Sequence, residues 1–180
     1  MHQRGKFVIL FMFALAFGLS GYAWWHRYQE NPKSKEFWGA RATVVIRQAP
    51  AVEFFTLVHT ATMNSSTSYK GTLLTIDGRF YVATVHDIHQ SPGLVHARHA
   101  LIDDNSFDWN TSLRACVPEW EFGLRFRDGS EQITVVFDTV CDGIQWLDQQ
   151  KKLQLVPLSA KAFRKKSDDW GKTARSTTVQ

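Results

Sequence analysis

The sequence predicts an α+β protein: an N-terminal transmembrane helix followed by a small antiparallel sheet packed with one or two helices. Three observations lead there. Residues 7–25 (FVILFMFALAFGLSGYAWW) contain no charged side chain. After them come β-rich runs, a helical stretch, more β-rich runs and a closing helix, an order that argues against a parallel doubly wound sheet. Two Asp-Gly pairs, Asp77-Gly78 and Asp128-Gly129, each lie between β-rich runs, the strongest short hairpin signal.

At the helical rise, residues 7–25 span about 28 Å, close to a bilayer's hydrocarbon thickness. Arg4 and Lys6 precede the run, and Tyr22, Trp24 and Trp25 close it as an interfacial belt before Arg27. Two other readings compete with an anchor. One is the apolar part of a cleaved secretory signal, with Gly21-Tyr22-Ala23 as a poor cleavage site. The other is a buried globular helix, for which the run lacks any polar face. The anchor reading implies a cytoplasmic tail over 1–6 and a signal anchor over 7–25 with the lipid bilayer as partner. It gives a single-pass protein of the bacterial inner membrane with a periplasmic domain, secretion after cleavage being the alternative. An envelope protein is the expected macromolecular partner.

Residues 26–41 read as a linker, 42–170 as the α+β domain and 171–180 as a disordered tail without apolar pattern. The chain is 44% hydrophobic and 13% aromatic, enough for a packed core. Its net charge of +4 gathers in the flanks and in Lys161, Arg164, Lys165 and Lys166. No aromatic-interleaved basic motif accompanies that excess, so nucleic acid is not an expected partner.

Within the domain, residues 42–47 are apolar and β-branched and read as a short strand ended by Pro50. Residues 52–60 read as a second strand and 63–69 as a Ser/Thr/Asn loop. Residues 71–76 and 79–87 form a hairpin about Asp77-Gly78. Ser91-Pro92 predicts a helix start, and Leu94, Ala97, Leu101 and Ile102 give that helix an apolar face. Strands are expected over 114–117, 122–127, 132–137, 143–147 and 153–158, with a turn at Arg127-Asp128-Gly129-Ser130. Ser159 caps a closing helix that runs to about Trp170.

Few residues suggest chemistry. Cys116 and Cys141 lie at the two ends of the strand meander. An even count in an exported domain suggests a structural disulfide, whose loop contributes roughly 3 kcal/mol in the chain-entropy model. Two buried free thiols are the alternative, and Cys-x-x-Cys redox spacing is missing. His86, His89, His96 and His99 form H-x-x-H…H-x-x-H, a weak metal pattern with no cysteine or carboxylate to complete it. Residues 71–86 faintly resemble the strand before the catalytic histidine of trypsin-like proteases. No nucleophilic serine in a glycine-rich oxyanion loop follows, because Ser130 belongs to a hairpin turn. No phosphate-cradling loop or dinucleotide fingerprint is present, and no cofactor is expected.

The stretch 116–166 resembles a group of uncharacterised bacterial secreted or lipoprotein-type domains. The resemblance rests on Cys116, Pro118, the Gly123-Leu124-Arg125-Phe126 strand, the Asp128-Gly129 turn, Val135-Val136-Phe137, Cys141 and Gly143-Ile144-Gln145. Asp138 stands where the first cysteine of that group's Cys-Phe-x-Cys-like motif lies, and Pro118-Glu119-Trp120-Glu121 replaces its Pro-Arg-His turn. The resemblance implies a fold and brings no activity. The functional expectation is a non-catalytic binding or envelope-associated accessory role. The alternative is a metal- or thiol-dependent enzyme using His86, His89, His96, His99 or the cysteines.

Overall fold

A computed structural model of the chain describes residues 2–29, 31–62, 71–110 and 116–177, with side chains from 9–23, 25, 31–61, 71–110 and 116–173. The chain divides into two units, Met1–Pro32 and Lys33–Gln180. The first contains the helix α1 (His2–Gln29), whose described apolar side chains are exposed.

The expectation of a membrane anchor is not met: among the described residues, no helix is long and apolar enough to cross a membrane. Gly18, Ser20 and Gly21 dilute the apolar character of α1. The transmembrane part of the predicted fold, the bilayer as partner through 7–25 and the single-pass inner-membrane placement with a periplasmic domain are corrected accordingly. The envelope-associated role built on them falls with them.

Among the described residues the second unit carries a seven-stranded antiparallel sheet in the order β2-β3-β1-β4-β5-β6-β7. Its strands are β1 (Ala51–His59), β2 (Thr72–Ile76), β3 (Arg79–Asp87), β4 (Trp120–Asp128), β5 (Glu131–Asp138), β6 (Gly143–Trp146) and β7 (Lys151–Gln154). The helices are α2 (Pro32–Gln48), α3 (Leu94–Leu101) and α4 (Pro157–Thr177). The α+β class and both Asp-Gly hairpins are as expected. Asp77 and Gly78 both have positive φ (50° and 74°), the backbone of the tight turn joining β2 to β3.

Where local structure departs from the sequence reading, the causes are visible. Residues 42–47 are helical, not a strand. Trp38, Ala42, Val45, Ile46 and Ala49 recur at helical spacing and are all buried, so packing overrides the β-branched preference of Val44, Val45 and Ile46. The start of α2 is capped from afar: Asp104 accepts the N–H groups of Lys33 (3.2 Å) and Ser34 (2.7 Å). Its end is capped by Arg98, which donates to the carbonyls of Arg47 (2.8 Å) and Ala49 (2.6 Å). The middle helix begins at Leu94 after left-handed Gly93, without a side-chain cap from Ser91. The closing helix begins at Pro157, two residues before Ser159, and continues past Trp170 to Thr177 rather than ending in a disordered tail. The expected loop over 63–69 and residues 114–115 of the expected strand over 114–117 lie outside the described residues, while 116–117 are in no strand.

Alternation along the strands gives the sheet two apolar faces. Val52, Phe54, Phe122, Leu124, Phe126, Val135, Phe137 and Ile144 pack beneath the helices against Trp38, Ile46, Leu101, Phe163 and Trp170. On the other face Phe55, Leu57, Ile76, Tyr81, Ala83, Trp120 and Val136 form a smaller core. The β2–β3 turn curls over that second face, where Asp77 meets Lys152 of β7 (2.6 Å) and Gln145 of β6 (3.4 Å).

Candidate functional site

The strands β1 and β4 share a ladder from Ala51–Arg127 to Thr56–Phe122 and then part. Beyond that point β1 continues against β3 as far as His59–Tyr81. The other strand continues against β5 to Trp120–Asp138, with a register shift between Trp120 and Phe122. Such irregularities bend a strand and re-aim its side chains. The gap they leave is a cleft of about 280 Å³ lined by Leu57, Val58, His59, Arg79, Tyr81, Glu119, Trp120 and Glu121.

The sheet order decides what faces what. Arg79 and Tyr81 come from β3 on one side of β1, and Glu119, Trp120 and Glu121 from the start of β4 on the other. Leu57, Tyr81 and Trp120 are buried and supply the apolar floor. Charged groups sit at the rim: Arg79, Glu119 and Glu121 are all exposed. Arg79 donates from Nη1 to the Pro118 carbonyl (3.2 Å), one of the five N–H groups of its guanidinium. Glu121 accepts the Thr139 hydroxyl. The Glu119 carboxylate has no partner among the described residues. The His59 and Tyr81 rings lie 5.1 Å apart. Behind the floor, the Lys152 ammonium sits 5.8 Å from the Trp120 ring centroid.

The β4 side of this cleft is fixed by a network around the disulfide. Cys116 and Cys141 are bonded, with Cα atoms 6.0 Å apart, in the usual range for a disulfide. Asp138 is buried at 2% exposure. Its Oδ1 accepts three backbone N–H groups, from Glu119 (3.3 Å), Val140 (2.9 Å) and Cys141 (3.1 Å). Gln154, also buried, donates to the carbonyls of Cys141 (2.5 Å) and Asp142 (3.0 Å). Arg164 of α4 reaches the Thr139 carbonyl and the Asp142 carboxylate. Asp138 thus ties the residue entering β4 to the loop that carries Cys141. Replacing it with Leu leaves those donors, one buried and two partly buried, without an acceptor, at a desolvation cost of up to about 1–3 kcal/mol each. Urea unfolding of Asp138→Leu is expected to show a loss of about 3 kcal/mol, with Asp138→Asn losing less because it keeps an acceptor oxygen.

The four histidines do not assemble. His86 is half-buried on β3, His89 is exposed beyond its end, and His96 and His99 are exposed on α3 while Leu94, Ala97 and Leu101 take its buried face. The His89 ring is engaged by Asp87, with Nδ1 3.1 Å from each carboxylate oxygen. The Asp87 carboxyl is held below its usual range first by the His89 backbone N–H that it accepts, and then by the ring. Among the described residues, no group of three or more His, Cys, Asp or Glu side chains could hold a metal ion. The metal-dependent alternative is corrected on that ground, and the thiol-dependent one because both cysteines are consumed in the disulfide.

The cleft residues were not legible as a set. The acid–aromatic–acid run Glu119-Trp120-Glu121 was the one local signal, and nothing in it locates β1 and β3 opposite. No family profile, curated protein or solved structure matches the chain.

Proposed function

We propose that the protein binds a small zwitterion of the α-amino acid class in the cleft where β1 and β4 part. The observation that carries this reading is the pairing of opposite charges across an apolar floor. Among the described residues Arg79 has guanidinium N–H groups left over for a carboxylate, and the Glu119 carboxylate, without a partner there and seconded by Glu121, supplies the acceptor for an ammonium. Leu57, Tyr81 and Trp120 beneath them suit a short apolar side chain. The volume lies just under the range of about 300–1,000 Å³ typical of small-molecule sites, which favours a compact ligand. Backbone groups of β1 and β4 past the end of their shared ladder add donors and acceptors along the walls.

Isothermal titration of the full chain with glycine, L-leucine, L-lysine and L-glutamate tests the reading. At least one is expected to bind, and Glu119→Gln is expected to weaken that binding by roughly 10- to 100-fold, the worth of one charge-assisted hydrogen bond. Because Glu119 is exposed, the substitution leaves the core intact. No heat from any of the four, or an affinity indifferent to Glu119→Gln, would overturn it.

A further inference from the structure

Four directly opposed residues form a row across β4, β5, β6 and β7: Trp120, Asp138, Gly143 and Gln154. Opposed residues of a sheet point to the same face. Here it is the face away from the helices, where Trp120 belongs to the smaller core. The third place in the row has no side chain. The backbone does not call for glycine there, because Gly143 is not among the residues of positive φ. A Cβ at Gly143 would meet Asp138 Oδ2 at 3.9 Å and the Leu153 carbonyl oxygen at 4.0 Å, both ordinary contacts. What the glycine does is leave space. The row lines a cavity of about 100 Å³, together with Pro118, Lys152 and the Cys116–Cys141 disulfide.

Two buried acceptors meet that space. Asp138 is 2% and Gln154 3% exposed. All three N–H groups that Asp138 accepts go to Oδ1, so among the described residues Oδ2 has no donor. Gln154 commits Nε2 to the carbonyls of Cys141 and Asp142, which leaves Oε1 as a second acceptor without a donor among those residues. Neither oxygen is among the polar atoms sealed off without a partner, so the open side of each is the cavity. The cation in the wall is already engaged: Lys152 Nζ lies 2.6 Å from Asp77. A buried carboxylate calls for a positive partner and donors to its oxygens. The space beside Oδ2 is where such a partner fits.

We infer that this cavity binds a small primary alkylammonium ion of the size of methylammonium. Its N–H groups donate to Asp138 Oδ2 and Gln154 Oε1, and its methyl group lies against Trp120 and Pro118. Charge and size select that class together. A neutral ligand leaves the Asp138 charge without a counter-ion. A calcium ion requires about six to eight oxygen ligands, and the cavity turns two toward its centre. The apolar wall of Trp120 and Pro118 suits an alkyl group better than a fully hydrated ion. The volume falls far below the roughly 300–1,000 Å³ of ordinary small-molecule sites, which excludes larger amines. The site is separate from amino-acid binding: Arg79 and Glu119 line the cleft and not this cavity, although Trp120 borders both.

The test titrates the ¹⁵N-labelled full chain with methylammonium chloride, against sodium chloride and tetramethylammonium chloride at the same ionic strength. Saturable shift changes are expected at the Gly143 amide and the Gln154 side-chain amide with methylammonium alone. Their Kd is expected in the millimolar range, the limit for a ligand with so few heavy atoms. Gly143→Ala, which puts a methyl group into the cavity without strain, is expected to weaken binding about tenfold. Asp138→Asn, which keeps an acceptor oxygen and removes the charge, is expected to abolish it, while Glu119→Gln leaves it unchanged. The inference is overturned by the absence of a saturable change, or by an equal response to sodium or tetramethylammonium. It is overturned equally by binding undiminished in Gly143→Ala or Asp138→Asn, or by binding lost in Glu119→Gln, which would move the ion to the cleft. Amino-acid titration reads the cleft independently, so either site can fail without the other.

Discussion

Removing the Cys116–Cys141 bond is expected to lower the unfolding free energy by about 3–4 kcal/mol and the melting temperature by roughly 10 °C. The bond closes a loop with a sequence separation of 25 residues, and the loss is the unfolded-state entropy that such a closure removes. That loop contains the whole of β4, the middle strand of the sheet, and of its neighbour β5. The double variant Cys116→Ser/Cys141→Ser, compared with the oxidised parent by urea unfolding, measures the loss directly. A change below about 1 kcal/mol would show that the hydrogen bonds of Asp138, Gln154 and Arg164 hold this corner without the bond. The same variant is expected to lose amino-acid affinity, because Cys116 lies just ahead of Pro118 and Glu119 at the rim of the cleft.

The second large effect is expected at Gly123. A Cβ there would lie 2.3 and 2.5 Å from two ring carbons of Phe55 and 2.8 Å from the Val135 carbonyl oxygen. Phe55 is fully buried and the carbonyl is backbone, so neither moves aside cheaply. Gly123→Ala is expected to cost about 3 kcal/mol, the upper end of ordinary overpacking. Pairing it with Phe55→Leu, which vacates the contested space, is expected to cost less than the sum of the two single changes. Strict additivity in that cycle would contradict the packing account.

Gly123 also shows what a sequence motif can encode. In the Gly123-Leu124-Arg125-Phe126 strand, Leu124 and Phe126 face the helices and are fully buried. Gly123 admits the Phe55 ring from the other side. Arg125 lies 5.5 Å from the centroid of that same ring and pairs with Glu53 at 3.1 Å. The four residues are one packing solution across β1 and β4, which is why they speak of fold and not of chemistry.

The hairpins were legible because Asp-Gly turns and strand alternation are local. The second helix was not, since three β-branched residues at 44–46 mask its spacing and its cap, Asp104, lies about 70 residues away along the chain. The cleft was hidden for a related reason. It exists because a register shift at Trp120 makes β4 leave β1, and register depends on which strands become neighbours. In the sequence Asp138 stands out only as the residue in place of a cysteine. Its role as acceptor for three N–H groups appears once the loop around Cys141 is folded. The histidines misled in the opposite sense: H-x-x-H spacing is local and conspicuous, yet α3 turns His96 and His99 outward while Asp87 engages His89.

The most direct test of the cleft is a ¹⁵N–¹H titration of the full chain with the amino acid that gives the largest calorimetric heat. Shift changes are expected to concentrate at residues 57–59, 79–81 and 119–121, including the indole N–H of Trp120, and to vanish in Glu119→Gln. Changes centred elsewhere in the sheet, or none at saturating ligand, would contradict a binding site between the parted strands.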